Sequence, residues 1–592
     1  MQKQTLAGLP AQGLVEKRSL SPGEDVEKYG HGPLHDTGKD LPLTTRLGIS
    51  PDSFRRADTV MVPNDPNDPS AGYHEEAPTL RHVMKNRHLQ MIAVGGSIGT
   101  GLFIGSGGAL ARGGPLGVLL AWVIMGIMLF CVVHAMGELA VMYPVEGGFY
   151  TMANRFLDPA WGFAMGWNYV FQWVIVLPLE LTAASLTVQY WDTDGSISIA
   201  VWITIFWVFI ILINVFGALG FAEEEFWASA WKLLIVIMFI FIAIIMNCGG
   251  GPSSGAYSEY VGGRYWRDPG PLANGFKGVA SVFVTAAFSF AGTELVGLAA
   301  AESANPRKNL PSAIKQVFWR ITIFYILTLL LIGLLLPYNE PRLTGGANSY
   351  DARASPFVIV VAKAGIKGVD HLVNVTVMIS VLSIANACVY GGSRTLCALA
   401  QQGFAPKFFA YIDKCGRPLT ATVLSLLFGP LAYVNLAAQG GDVFDWLLAV
   451  AGLSTLFTWG SICLCHIRFR QGWRAQGHSV REIPVQAAWG EFGSYFGLFL
   501  VIFVLALQLY VAVSPLGGPA SAEGFFKAYL AAPVVIVFYI IGYFIFKTRP
   551  VGVLQMDLDT GRKVWDTVEE IEADKAMAKQ QPAYVRIYKF FC

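Results

Sequence analysis

Charge is scarce in this sequence where a soluble protein would need it. Lys, Arg, Asp and Glu make up 14% of the 592 residues, against about a quarter in an ordinary soluble domain. The shortage is concentrated in the middle. Residues 1–90 hold 23 of the 83 charged side chains and residues 551–592 hold 13, leaving about 10% for the 460 residues between. A middle so poor in charge cannot cover a soluble core with polar surface. Charge of one sign is missing too: a net +1 provides no basic field for nucleic acid. The 8 cysteines lie scattered in or beside apolar runs, except Cys415 in a loop and Cys592 at the end. With Cys463-Leu-Cys465 lacking zinc or redox spacing, neither a disulfide framework nor a metal centre is expected. The first 87 residues hold no apolar run, so no cleavable signal peptide is expected.

What is abundant is apolar sequence, at 54% of residues and a mean hydropathy of +0.49. The chain reads as an all-α integral membrane protein. A crossing needs roughly 20 apolar residues, and twelve candidates fit: 89–111, 115–142, 161–190, 197–219, 227–247, 278–302, 318–337, 368–399, 419–438, 443–465, 492–513 and 530–547. Residues 1–87, rich in Pro, Asp, Glu and Gly (Pro63-Asn-Asp-Pro-Asn-Asp-Pro69), read as a disordered cytosolic tail. A twelve-helix domain follows over 88–548, then a second cytosolic tail over 549–592. Lys and Arg set the orientation. Arg307, Lys308, Lys315 and Arg320 follow the sixth crossing, Arg394, Lys407, Lys414 and Arg417 the eighth, and Arg468, Arg470, Arg474 and Arg481 the tenth. These loops read as cytoplasmic, and an even count puts both termini there.

The first crossing contains Gly95-Gly-Ser-Ile-Gly-Thr-Gly-Leu-Phe-Ile-Gly105 and the sixth Phe288-Ser-Phe-Ala-Gly-Thr-Glu-Leu-Val-Gly297. Aligned at Gly99 and Gly292, they lie 193 residues and five crossings apart, which inverts the second unit (about 276–465) relative to the first (about 88–247). The remaining helices, about 492–548, are extra. Glycine-interrupted helices at matching places in inverted halves mark a secondary-transporter binding site. Unwound backbone offers N–H and C=O groups that lipid cannot satisfy. Close helix packing also uses glycines such as Gly95, Gly99 and Gly107, but the matched partner five helices away favours a site. A dinucleotide loop is rejected, since no strand precedes the glycines.

The Gly95–Gly105 run resembles the first-helix signature of the amino acid–polyamine–organocation superfamily. Gly137-Glu-Leu-Ala, Pro144-Val-Glu-Gly-Gly148, Phe226-Trp-Ala-Ser-Ala-Trp-Lys232, Arg264-Tyr-Trp-Arg-Asp-Pro-Gly270, Phe283–Phe290 through Asn305-Pro-Arg-Lys308, Ser393-Arg-Thr395 and Cys465-His-Ile-Arg-Phe-Arg470 narrow the likeness. Over roughly residues 75–592 the chain resembles the fungal amino acid permease family, and among its members the general permeases. The resemblance implies a 5+5 inverted repeat with broken first and sixth helices plus two extra helices. It also implies proton-coupled amino acid import across a fungal plasma membrane, without a cofactor. Phe590-Phe-Cys592 resembles the family's C-terminal aromatic-aromatic-Cys end, implying a palmitoylation site.

The site residues follow from charge. A substrate carboxylate needs donors, which the restarting first helix offers at Ser97, Ile98, Gly99, Thr100 and Gly101. An ammonium needs acceptors, which the carbonyls of Ser289, Phe290, Ala291 and Gly292 offer, with Thr293 and Glu294 completing the second break. Phe290 acts as a lid in the resembled fold and as a core aromatic otherwise. Trp446 and Thr455, with Ser454, fall on the tenth helix, the resembled source of the side-chain pocket. Ionisable groups inside crossings are costly, so each is a functional candidate. Glu180 and Lys232 are the candidates for proton coupling, in competition with helix pairing for Glu180 and snorkelling for Lys232. In resembled proton-coupled transporters a fifth-helix lysine takes the place of a sodium ion between the first and eighth helices. Glu138 reads as structural or gating, and with His134 it forms a metal-like pair that lacks a third ligand.

The leading reading is a proton-coupled importer working by alternating access, with amino acid, protons and membrane lipid as partners. The alternative is an amino acid sensor of the same fold with little transport. An enzyme would need a nucleophile–base pair, and a channel a continuous polar lining; neither is found. Lys3, Lys17, Lys28 and Lys39 in the N-terminal tail are candidate ubiquitin-ligase contacts.

Overall fold

The structure is a computed structural model. It describes residues 48–563 except 64–72, 77–79, 81–83, 145–147, 193, 302–305, 345–354 and 437–439, and beyond these only 569, 577, 580–582, 584 and 585. Lys3, Lys17, Lys28, Lys39 and Cys592 therefore lie outside the described residues. The chain forms two units, residues 1–50 and residues 51–592, and all that follows concerns the second.

Apart from short pieces, including an antiparallel ribbon that pairs Val60–Pro63 with Tyr73–Glu76, this unit is helical. The elements used below are α1 (Asn86–Gly95), a π-helical turn (Gly101–Gly105), α2 (Ser106–Met142), α3 (Pro159–Val188), α4 (Ile199–Asn214), α5 (Gly217–Asn247), α6 (Phe283–Phe290) and α7 (Leu295–Ala301). A π-helical segment (Arg320–Leu327) precedes α8 (Thr328–Leu335), and α9 (Val369–Gln401), α10 (Leu419–Leu427), α11 (Gly440–Ala475), α12 (Gly490–Val513) and α13 (Ala531–Phe546) complete the set.

By length and apolarity the described residues give nine spans, or ten with the bent pair ending in α13, against the twelve expected. Two causes account for the difference. The 42-residue stretch Gly101–Met142 is about 63 Å long, twice the roughly 30 Å hydrocarbon core. It contains non-helical Gly114 (φ 72°) before Pro115, at the expected boundary between the first two crossings. α4, with 16 residues, falls short of the usual length.

Apolarity alone does not say which helices are central. α3 is buried on nearly every side, whereas α4 buries only Ile203, Phe206 and Ile210 and exposes Leu212 to 58%. In a bilayer such apolar outer faces are solvated by lipid. α3 begins where Asp158 accepts from Ala160 N at 3.0 Å with Pro159 in the first position, a side-chain cap joined to a pre-set φ.

Within the tail expected to be disordered to residue 87, the segment around residues 52–57 is docked. Ala57 N donates to Ile412 O (3.0 Å), Tyr411 OH to Phe54 O (2.9 Å), and Lys414 lies 2.9 Å from Asp52. A polar segment that cannot build its own core is ordered here by a loop it docks onto. Beyond residue 549, Val551 N donates to Leu157 O (2.7 Å) and Tyr143 OH to Leu558 O (2.9 Å). Two arginines assigned to loops are also corrected. Arg394 lies inside α9, its guanidinium 3.8 Å from the Tyr390 ring centre, and Arg320 is fully buried. Both fall inside the apolar spans Val369–Gln401 and Leu310–Leu335 rather than in the loops beside them.

Candidate functional site

The first break spans Gly96 to Gly99, between α1 and the helix that restarts at Thr100 ahead of the π-helical turn, and the second spans Ala291 to Glu294, between α6 and α7. At the second, Ala291 turns extended (ψ 145°) and Gly292 adopts φ +89°, a conformation that favours glycine. The two breaks meet. A Cβ on Gly101 would stand 2.4 Å from Ser289 Cα, and one on Gly105 3.0 Å from Thr285 Cγ2. Gly95 and Gly99 press elsewhere, a Cβ on either falling 2.1 Å from Ser229 Oγ or Ile384 Cδ1. These glycines therefore serve close packing as well as unwinding.

Two side chains missed in the sequence tie the breaks together. Tyr325, in the π-helical segment before α8, places its hydroxyl 2.9 Å from both Ser97 O and Ser289 O. One O–H proton serves one of them at a time. Arg320 donates to Ala93 O (2.7 Å) and to Thr293 Oγ1, while its buried Nε has no partner among the described residues. Phe290 is fully buried with its ring centre 4.5 Å from that of Tyr325, packed as a core aromatic.

The expected donors and acceptors are partly engaged. Ile98 N–H already donates to Gly95 O (2.9 Å) and is not an open donor. Thr293 N–H and Oγ1 donate to Phe290 O at 3.3 and 2.7 Å, and Leu295 N–H to Gly292 O at 3.1 Å. Phe290 O thus already accepts two bonds, whereas Gly292 O keeps a second lone pair. Glu294 accepts from Gly292 N–H and from Trp459 Nε1, each at 3.2 Å, so it closes its own break onto α11. Chemically, free N–H groups at a restarting helix attract an anion and unwound carbonyls attract a cation.

Both buried charges flank the first break. Thr100 Oγ1 donates to Glu180 Oε2, while Glu180 Oε1 has no partner among the described residues. Lys232 is fully buried, which rules out snorkelling: Nζ lies 3.0 Å from Gly95 O, 3.1 Å from Ser383 Oγ on α9 and 3.4 Å from Glu225 Oε1. Glu180 thus holds the chain just after the break and Lys232 just before it. α3 contributes more than Glu180. Tyr169 lines a narrow, open-ended cleft with Glu294, Leu298, Tyr143, Met152 and Ile462. A Cβ on Gly292 would meet Trp173 at 3.4 Å. Tyr169, Trp173 and Glu180 recur at i, i+4 and i+11, one helix face, a signal legible in the sequence but unused.

On α11, Thr455 is buried and bonds back to Ala451 O (3.0 Å). It shares a face with Gly452, whose Cβ would meet Val284 O at 2.8 Å, and with Trp459. Among the described contacts Trp446 reaches neither break. Glu138 sits apart from the site, 2.6 Å from Arg470 Nε and 3.0 Å from His466 Nε2, with Ala487 N donating to it at 2.8 Å. His134 contacts Phe130 O instead (2.9 Å).

Two facing helix breaks inside a multi-pass helical domain, each built on glycine and flanked by buried charge, define a membrane carrier scaffold. A mutant of the Eremococcus coleocola manganese transporter has a similar fold, with a TM-score of 0.50 at 10% identity over 79% of this chain and 98% of that one. The sequence profile of the amino acid permease family matches residues 88–555, and this chain belongs to that family. It is similar to amino-acid permease inda1 of Hypocrea atroviridis (55% identity over 94% of each chain). The general amino-acid permease GAP1 of Saccharomyces cerevisiae is 50% identical over 91% of each chain. GAP2 of Candida albicans is 51% identical over 99% of this chain and all of its own.

Proposed function

We propose that this protein imports amino acids across the plasma membrane with protons, by alternating access, over a broad range of L-amino acids. The observation that carries the reading is the meeting of the two breaks, where Ser97 Oγ lies 3.5 Å from Thr293 Oγ1, with Tyr325 OH 2.9 Å from Ser97 O in the first and from Ser289 O in the last turn of α6 before the second, and Glu180 and Lys232 on either side of the first. Ser97, Gly99, Thr100 and Gly101 face the substrate carboxylate. Ser289, Phe290, Ala291 and Gly292 face its ammonium, Thr293 and Glu294 shape the second break, and Thr455 lies on the helix that meets the substrate side chain. Glu180 and Lys232 carry the coupling proton. Residues 88–247 and 276–465 act as inverted halves, with both termini cytoplasmic and the N-terminal lysines open to ubiquitin ligases. General permeases among the relatives support the broad range.

The test is uptake of a radiolabelled amino acid panel by transport-deficient cells at acid and neutral pH, with and without a protonophore. Accumulation of many amino acids that collapses with protonophore is expected. Protonophore-insensitive exchange would make Glu180 and Lys232 structural, and binding without accumulation would make the protein a sensor.

A further inference from the structure

Lys232 does not stand alone on α5. Two turns earlier, Glu225 is equally buried, with Oε1 3.4 Å from Lys232 Nζ. Ser229 Oγ donates to Oε1 and Ser383 Oγ to Oε2, each at 2.5 Å, and Ser383 Oγ also lies 3.1 Å from Lys232 Nζ. The two hydroxyls complete a closed polar cluster beneath the end of α1. α1 is seated directly on it, since Lys232 holds Gly95 O and a Cβ on Gly95 would stand 2.1 Å from Ser229 Oγ.

A buried ion pair is a poor way to gain stability alone, because desolvation offsets most of the attraction. This one also sits at the loose end of a broken helix rather than between continuous ones. The acids beside it lead outward. Glu224 accepts from Asn386 Nδ2 on α9 (2.8 Å). Glu223, its side chain 38% exposed, pairs with Arg87 and with His88 at 3.1 Å, both on α1. The charged groups around Glu225 are thus Lys232, Glu224 and Glu223 on its own helix, Arg87 and His88 from α1, and Glu180 from α3 at Thr100. Arg320 reaches Ala93 O, two residues before Gly95, and α9 presents the uncharged Ser383 and Asn386.

We infer that Glu225 is the positioning residue that receives the coupling proton from Lys232 and passes it to the side of the membrane where Glu223 meets water. The inference rests on the reading of Lys232 as a proton carrier. In the transfer an N–H bond of Lys232 breaks and an O–H bond forms on Glu225 Oε1. The pair passes from ammonium and carboxylate to amine and carboxylic acid without changing net charge. The proton then leaves Glu225 for water, and the pair stays at −1 until a proton from the opposite side returns to Lys232. While Lys232 is neutral, its charge-assisted bond to Gly95 O becomes an ordinary one of about half the strength. That loosens the end of α1.

The experiment compares wild type, E225Q and E225D in transport-deficient cells, all normalised to protein at the surface. It measures concentrative uptake across a pH series and exchange of labelled for internal amino acid. Wild-type accumulation must first collapse with protonophore; if it does not, the proton-carrier reading of Lys232 fails, whatever Glu225 does. Given that collapse, E225Q is expected to lose accumulation by about tenfold or more while keeping exchange within about twofold, with a flattened pH profile. E225D, which keeps the carboxylate but withdraws it by one methylene, is expected to accumulate with a displaced pH profile. E225Q accumulating with the wild-type pH profile overturns the inference, as does E225Q losing exchange and accumulation together. If E225Q does not reach the surface, E225D decides: an undisplaced profile overturns the proposal and a displaced one supports it.

Discussion

Replacing Gly101 by alanine tests whether the close meeting of the two breaks is needed for substrate binding. The new Cβ would lie 2.4 Å from Ser289 Cα and 2.8 Å from Ser289 N, both backbone atoms that no rotamer change can move. Relief must come from parting the two broken helices. Overpacking of this kind costs about 1–3 kcal/mol, or more where backbone must shift. If that cost falls on the substrate-holding state, KM rises between about 5- and 150-fold, since 1.4 kcal/mol is about tenfold. Gly99→Ala is the informative comparison. Its Cβ meets Ile384 Cδ1 at 2.1 Å, the far end of a side chain that can rotate, and backbone only at 3.4 Å, so its KM shift is expected to be smaller. Gly263, with nothing within 4 Å of the added carbon, should be neutral as alanine. The assay is the concentration dependence of amino acid uptake, normalised to surface protein. A Gly101→Ala protein with wild-type KM, or one milder than Gly99→Ala, refutes the reasoning.

The Glu138 cluster calls for the opposite result. Glu138→Ala strands Arg470 and His466 in a buried setting, at about 3–5 kcal/mol. A lower thermal midpoint and less surface protein are expected, with unchanged KM in the molecules that arrive; thermal-stability chromatography and uptake check both. In the exposed loop before α4, Asp192 accepts from Ile197 N–H (2.9 Å) and from Ser196 N–H and Oγ. The Ile197 amide is the leading cause that holds its carboxyl below the ordinary range. A depressed carboxyl stabilises above its ordinary pKa and loses that contribution as pH falls through the lowered one. The loop should therefore resist acid-tolerant proteases at neutral pH and yield at strongly acid pH. Asp192→Asn should yield at both; equal cleavage of the two proteins at neutral pH would contradict this.

Membrane class, most helix positions and both breaks were legible in the sequence because each leaves a one-dimensional trace. Apolar length sets a crossing, and clustered glycine weakens a helix by about 1 kcal/mol per residue relative to alanine. Glu180 and Lys232 stood out because charge is costly inside a crossing. What each charge touches leaves no such trace. Arg320 looked like a loop cation and is a buried clasp on Ala93 and Thr293; Glu225 lay inside an acidic run and proved to be the partner of Lys232. Tyr325 is an aromatic in an apolar helix until its hydroxyl is seen beside carbonyls 228 and 36 residues away in sequence. The sequence by itself determined that the chain lives in a membrane and where its helices fail. Only the tertiary structure decided which side chains hold the failed segments, because those partners come from helices far apart in the chain.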